Sequence, residues 1–162
     1  MNGKIVAGSI VLVALIAGSA MFWLQEYAYY APVAFAPGQE VMLTPLTGPP
    51  EPMQVDHISG IDAASSPLRF RACFHTAMPL DLLTEGYTVY DKAVPLNAPG
   101  WFNCFDAAAI GAALESGQAV AFLGQAGVAT DIDSVVAVFP DGRAYAWHQI
   151  NPKADVSTGA EE

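Results

Sequence analysis

The chain has 162 residues, with sixteen Asp and Glu against six Lys and Arg, a net charge of −10 at pH 7. Such an acid excess excludes a nucleic-acid surface and charge-driven docking onto anionic headgroups, and leaves plain solubility or a basic protein partner as its uses. At this length, with one long apolar segment set aside, about 130 residues remain, enough for one domain and not two.

Residues 5–24 carry no formal charge. Twenty helical residues rise about 30 Å, the thickness of a bilayer core, so this segment reads as a membrane anchor in contact with lipid. Lys4 and the amino terminus precede it and Glu26 is the first charge after it, which places the amino terminus in the cytoplasm and the rest of the chain outside. Trp23, Tyr27, Tyr29 and Tyr30 follow as an interfacial aromatic belt, so residues 1–30 form the anchor with its juxtamembrane stretch. A cleaved signal peptide competes, because Gly18-Ser19-Ala20 offers small residues for a peptidase. Against it stand the single basic residue before the span and the apolar run continuing through Leu24. Ala14 and Gly18 could admit a neighbouring helix, although small residues are common in any span.

Six of the twelve prolines fall within 31–52, at 32, 37, 45, 49, 50 and 52. Proline at that density favours extended geometry, so this segment is expected to be a stalk with at most one edge strand, at 41–44. The folded domain is then 53–150. Leu68 to Phe74 alternates, placing Arg69 and Arg71 on a wet face and Phe70, Ala72 and Phe74 on a packed one. Residues 79–85 suit a short helix. Asn103 as cap, Asp106 in the first turn, the alanine-rich run 107–114 and Gly117 beyond it predict a helix over 104–116. Gln118 to Leu123 is a strand; Val135 to Phe139, the turn Pro140-Asp141-Gly142-Arg143, and Ala144 to His148 form a hairpin. Residues 151–162 are polar and read as a disordered tail. The fold class is α+β: one transmembrane helix, then a small, mostly antiparallel sheet domain with one packed helix.

Cys73 and Cys104 are the only cysteines. In an oxidising compartment two cysteines usually pair, and closing a loop of about thirty residues stabilises by roughly 3–4 kcal/mol in the entropic model. Unpaired, Cys104 in the first turn of a helix would have its thiolate favoured by the dipole, with Trp101 as an aromatic neighbour. No Cys-x-x-Cys spacing supports a thioredoxin-like enzyme. Cys73, His75 and Cys104, with Met78, His57 and His148 elsewhere, are the soft ligands copper prefers, and Cys73 and His75 share a strand face. The scatter of the histidines argues against a metal site, and His148 reads as a strand residue capping a polar edge. No nucleophile elbow, phosphate loop, haem attachment or zinc-protease motif occurs, so neither catalytic nor cofactor-binding residues are assigned. Asp131-Ile132-Asp133 starts like a calcium loop but has Val136 where glycine is needed, so both aspartates read as solvated turn residues.

Met1-Asn2-Gly3-Lys4-Ile5-Val6-Ala7-Gly8, Ser66 to Phe74, Trp101-Phe102-Asn103-Cys104-Phe105-Asp106 and Pro140 to His148 together resemble a small uncharacterised family of single-span proteins of alphaproteobacteria. The resemblance covers nearly the whole chain and implies an inner-membrane setting with a periplasmic domain. Members sometimes carry a histidine kinase label, but this chain is too short for a kinase core and lacks a glycine-rich nucleotide lid. The expected function is a non-catalytic binding or accessory module for another membrane or periplasmic protein. The alternative is a membrane-tethered thiol or copper-handling factor.

Overall fold

In the computed structural model, which describes residues 2–152, helix α1 covers Gly3–Trp23 and continues as a π-helical turn, Leu24–Ala28. None of its residues is buried, and by length and composition it could cross a membrane, which fits a single-pass protein. From residue 153 on, the expected tail lies outside the described residues.

The remaining elements are β1 Ala31–Pro32, β2 Met42–Leu43, β3 Glu51–Pro52, β4 Asp56–Asp62, β5 Arg71–His75, α2 Leu80–Gly86, α3 Ala107–Glu115, β6 Val120–Ala129, β7 Ile132–Val138 and β8 Arg143–Ile150. Six strands form one antiparallel sheet in the order β1-β4-β5-β8-β7-β6, and β2 pairs with β3. The fold is thus α+β, as the sequence predicts. In the β7–β8 hairpin, Gly142 takes φ 85°, where a Cβ would lie 2.6 Å from the Thr76 carbonyl; no other residue type fits without shifting the backbone.

Both faces of the sheet are covered, which explains why β7 is apolar on both sides: Val135 and Ala137 face one way, Val136 and Val138 the other, and all are fully buried. On one face Val41, Leu43, Met53 and Leu83 pack against Phe74, Phe122, Val136 and Val138. On the other, Phe102, Phe105 and Ile110 pack against Ala121, Val135, Ala137 and Trp147. Each such large side chain contributes roughly 1.5–3 kcal/mol by leaving water.

Four expectations are revised. The 31–52 segment is no free stalk. Val41 and Leu43 are core residues, Met53 N–H donates to the Val41 carbonyl at 2.8 Å, and Thr44 N–H donates to Leu123 at 2.9 Å. Phe35 lies so close over Gly60 that a Cβ there would sit 2.5 Å from its ring. The prolines occupy edge positions, Pro32 in β1 and Pro52 in β3, where a missing donor is tolerated.

Arg71 is the second. Far from facing water, it is 3% exposed, and its guanidinium donates to the carbonyls of Leu68, Phe70, Leu96 and Asn97. Burial pulls its pKa down to about 10, against the attraction of Tyr30 and Asp62. Third, α3 begins at Ala107 because Asp106, not Asn103, is the cap; its Oδ1 accepts the Ala109 N–H at 3.0 Å.

The fourth concerns Asp133, which is 3% exposed. It accepts the Tyr90 hydroxyl and the Gly127 N–H, both at 3.0 Å. Asp131 does sit exposed in the β6–β7 turn, at φ 58°.

Candidate functional site

Cys73 lies on central strand β5, opposite Ser59 of β4 and Tyr145 of β8; two residues on, His75 lies opposite Asp56 and Arg143. The period of two therefore brings Cys73 and His75 to one face. Cys104, in the loop before α3, reaches the same face and forms a disulfide with Cys73, Cα to Cα 6.2 Å across a separation of 31 residues. His57 arrives there through an irregularity in β4 between Asp56 and Ser59, where it adopts φ 53°. His57, Ser59, Cys73, His75, Cys104, Arg143 and Tyr145 line one half-open cavity of about 290 Å³. A second cavity of about 500 Å³, running along α3 past Asp106 and Ile110, shares Cys104, Arg143 and Tyr145 with it. The two form one groove floored by the disulfide.

The residues singled out in the sequence separate here. Cys73, His75, Cys104 and His57 come together; His148 and Met78 do not. His148 stacks on Phe70 with ring centroids 4.7 Å apart, and its Nδ1 is 2.8 Å from the Pro67 carbonyl. Burial lowers its pKa, against the opposing pull of the Pro67 carbonyl and Asp62. Met78 packs against the core. Among the described residues no three His, Cys, Asp or Glu side chains group as a metal site, and the two sulfurs are bonded to each other.

Electrostatically the groove is mixed. Arg143 Nε donates to Asp141 at 2.7 Å, with both side chains about half exposed, and the guanidinium covers the Phe139 ring at 4.8 Å. The pairing pulls the Asp141 carboxyl below its usual range, the Arg143 hydrogen bond being the main cause. At this exposure the ion pair adds little stability and mainly orients the guanidinium at the groove. With Asp106 capping α3, Cys104 stands three residues ahead of the helix and loses the dipole that its predicted first-turn position implied.

Residues 41–160 match a family of unknown function, DUF6446. The chain belongs to this family. The match begins at Val41, so the β2–β3 hairpin, strands β4 to β8 and the groove fall inside the DUF6446 region, while α1 and edge strand β1 precede it. No curated protein and no solved structure matches the chain.

One further contact joins the DUF6446 region to the helix that precedes it. The Pro99 carbonyl accepts the Phe102 N–H at 2.9 Å, closing a turn. From that turn Gly100 N–H donates to the Glu26 carboxylate at 3.1 Å, and the Trp101 indole N–H donates to the Glu26 backbone carbonyl at 2.6 Å. Tyr30 packs edge-on against Trp101 at 6.2 Å, while the Arg69 guanidinium lies 5.9 Å from the Tyr29 ring and 5.3 Å from the Tyr30 ring. The end of the apolar helix is thereby fastened to the domain. The signal available in the sequence was Glu26 itself, a lone charge placed just beyond the apolar run.

Proposed function

We propose that this chain is a single-pass inner-membrane protein, amino terminus in the cytoplasm, holding a non-catalytic binding module in the periplasm. Its task is to engage another membrane or periplasmic protein. The observation that carries this reading is the Glu26 clamp: the domain follows the apolar helix directly, fixed through Gly100 and Trp101, and is not on a free tether. A module fixed next to the bilayer meets membrane partners at high effective concentration, so a weak interface suffices. The disulfide-floored groove is the docking face in this proposal. β5 runs from Arg71, whose guanidinium holds the 96–97 loop, to His75 in the groove, about 13 Å further at the rise of a strand. The acidic surface would steer a basic partner, with association slowing as salt rises.

Site-specific photo-crosslinking in intact cells tests this. A crosslinker at Ser59 or Tyr145 should trap a membrane or periplasmic protein that one at Thr84, on α2 across the sheet, does not. Absence of any adduct from the groove, together with turnover of a thiol or metal substrate by the full chain, would replace the binding reading with an enzymatic one.

A second reading is favoured by one observation, that Cys73, Cys104, His75 and His57 line the same cavity. Reduction of the disulfide by a dithiol would free two thiols beside two imidazoles, the donor set of a copper-handling factor. Cuprous ion titrated into the reduced chain, with Cys73→Ser as control, separates the two readings: stoichiometric binding abolished by the substitution favours copper.

A further inference from the structure

The Trp101 side chain is about one-third exposed and bonded to the helix that the proposed function places in the membrane. Glu26 follows Leu24 by two residues and Trp23 by three, a rise of about 3–5 Å. The indole of Trp101, 2.6 Å from the Glu26 carbonyl, is thus held at nearly the depth of Trp23, where an apolar span gives way to headgroups. Its surroundings match that boundary. Tyr29 and Tyr30 stand beside it, Tyr30 in edge contact, and Arg69 lies over both tyrosine rings. An indole whose N–H is satisfied and whose ring stays partly exposed suits the layer where one end of a side chain is wet and the other apolar.

From this we infer that Trp101 lies in the headgroup region of the bilayer that holds α1, making the turn over 99–102 a second, shallow membrane contact of the domain. This inference rests on the proposed anchor. Its occupant is the lipid boundary itself, reached through an aromatic ring and not through charge, so it is compatible with a domain whose net acidity repels anionic headgroups. Two attachments, one through α1 and one through Trp101, would fix the tilt of the sheet on the membrane and so the direction in which the groove opens.

The test uses the full chain reconstituted in phosphatidylcholine vesicles. Trp23→Phe removes the span indole and leaves Trp101 and Trp147, the latter fully buried; Trp23→Phe with Trp101→Phe gives the baseline. Phosphatidylcholine with brominated acyl chains should quench the Trp101 contribution by about twofold or more, while iodide in the aqueous phase does little, as for an interfacial indole. Quenching of the Trp23→Phe chain mainly by iodide, or by neither agent beyond the baseline, overturns the inference even if the double variant folds poorly. Release of the chain from the vesicles by alkaline carbonate overturns the anchor, and the inference with it; retention with iodide-accessible Trp101 overturns the inference alone.

Discussion

The phenol of Tyr90 donates its hydrogen bond to a carboxylate that water does not reach, that of Asp133, at 3.0 Å. Asp133 also accepts the Gly127 N–H, so its two oxygens tie the 87–90 segment and the outer part of β6 to β7. Tyr90→Phe leaves a buried acceptor short of one partner, which costs about 1–3 kcal/mol. Asp131→Ala, two positions away in the exposed turn, should stay within about 0.5 kcal/mol of the parent. Thermal unfolding of the full chain in mild detergent checks the contrast; equal effects of Tyr90→Phe and Asp131→Ala would show that the buried network contributes nothing.

Alkali should act through the same tyrosine. Burial, then the bond to Asp133, raises the Tyr90 pKa well above that of a free phenol, and the Glu51 hydrogen bond raises that of Tyr87 to about 12. Since the folded chain keeps a proton that the unfolded chain releases near pH 10, this stabilisation is complete below pH 10 and is lost as pH climbs above it. Phenolate absorbance should show late ionisation steps from Tyr87 and Tyr90. Tyr90→Phe and Tyr87→Phe should each remove one late step; late absorbance left unchanged by either substitution would refute the assignment.

Arg71 makes a sharper case, because its fork of donors serves four carbonyls from two loops. Arg71→Met leaves them unpaired, and Arg71→Lys offers a point charge that cannot span them. Both should destabilise, the first by roughly 2–4 kcal/mol. Arg69→Met, whose guanidinium lies over the exposed Tyr29 and half-buried Tyr30 rings, should cost under about 1 kcal/mol. A larger loss at Arg69 than at Arg71 would contradict the geometry.

These residues show what was legible in the sequence. The β7–β8 hairpin could be read because its turn chemistry and apolar run are local, and α2 for the same reason. Arg71 is not legible because alternation implies one wet face, whereas the loop over 92–102 covers that face; nothing local to β5 announces a distant loop. The proline count of the 31–52 segment outweighed Val41 and Leu43, whose partners Leu83 and Phe122 lie far along the chain. Within the candidate site, Cys73 and His75 were readable from spacing and Cys104 from elimination. His57 joins them only through the left-handed backbone at the β4 irregularity, which a sequence does not display. The Glu26–Trp101 bond joins residues 75 apart; the lone charge of Glu26 beyond the apolar run marks one end of it, and nothing in the sequence marks Trp101 as the other.

The proposed orientation rests on Lys4 before the apolar run and Glu26 after it. A periplasm-active reporter fused to the carboxy terminus should be active, and the protein extracted from membranes should have its full unprocessed mass. A mature species starting at Met21 would identify the apolar helix as a cleaved signal. The Glu26 clamp would survive that cleavage, so the domain contacts alone cannot substitute for the mass measurement.

The disulfide carries the last prediction. Cys73 is on the central strand and Cys104 on the loop that brings Phe102 and Phe105 over Trp147, so the bond staples one layer of the core to the sheet. Alkylation of the unreduced chain should label neither cysteine, and Cys104→Ala should lower stability by roughly 2–4 kcal/mol. The loss should appear first on the face that the loop covers: hydrogen exchange should quicken at Phe102, Phe105 and along α3 before it does on the side of Leu43 and Leu83. Uniform loss on both faces would mean that the bond acts only through the unfolded chain. Rapid labelling of both cysteines in the protein as isolated, with protection by cuprous ion, would shift the balance to the thiol and copper reading, since a closed disulfide can neither be alkylated nor bind metal through its sulfurs as thiolates.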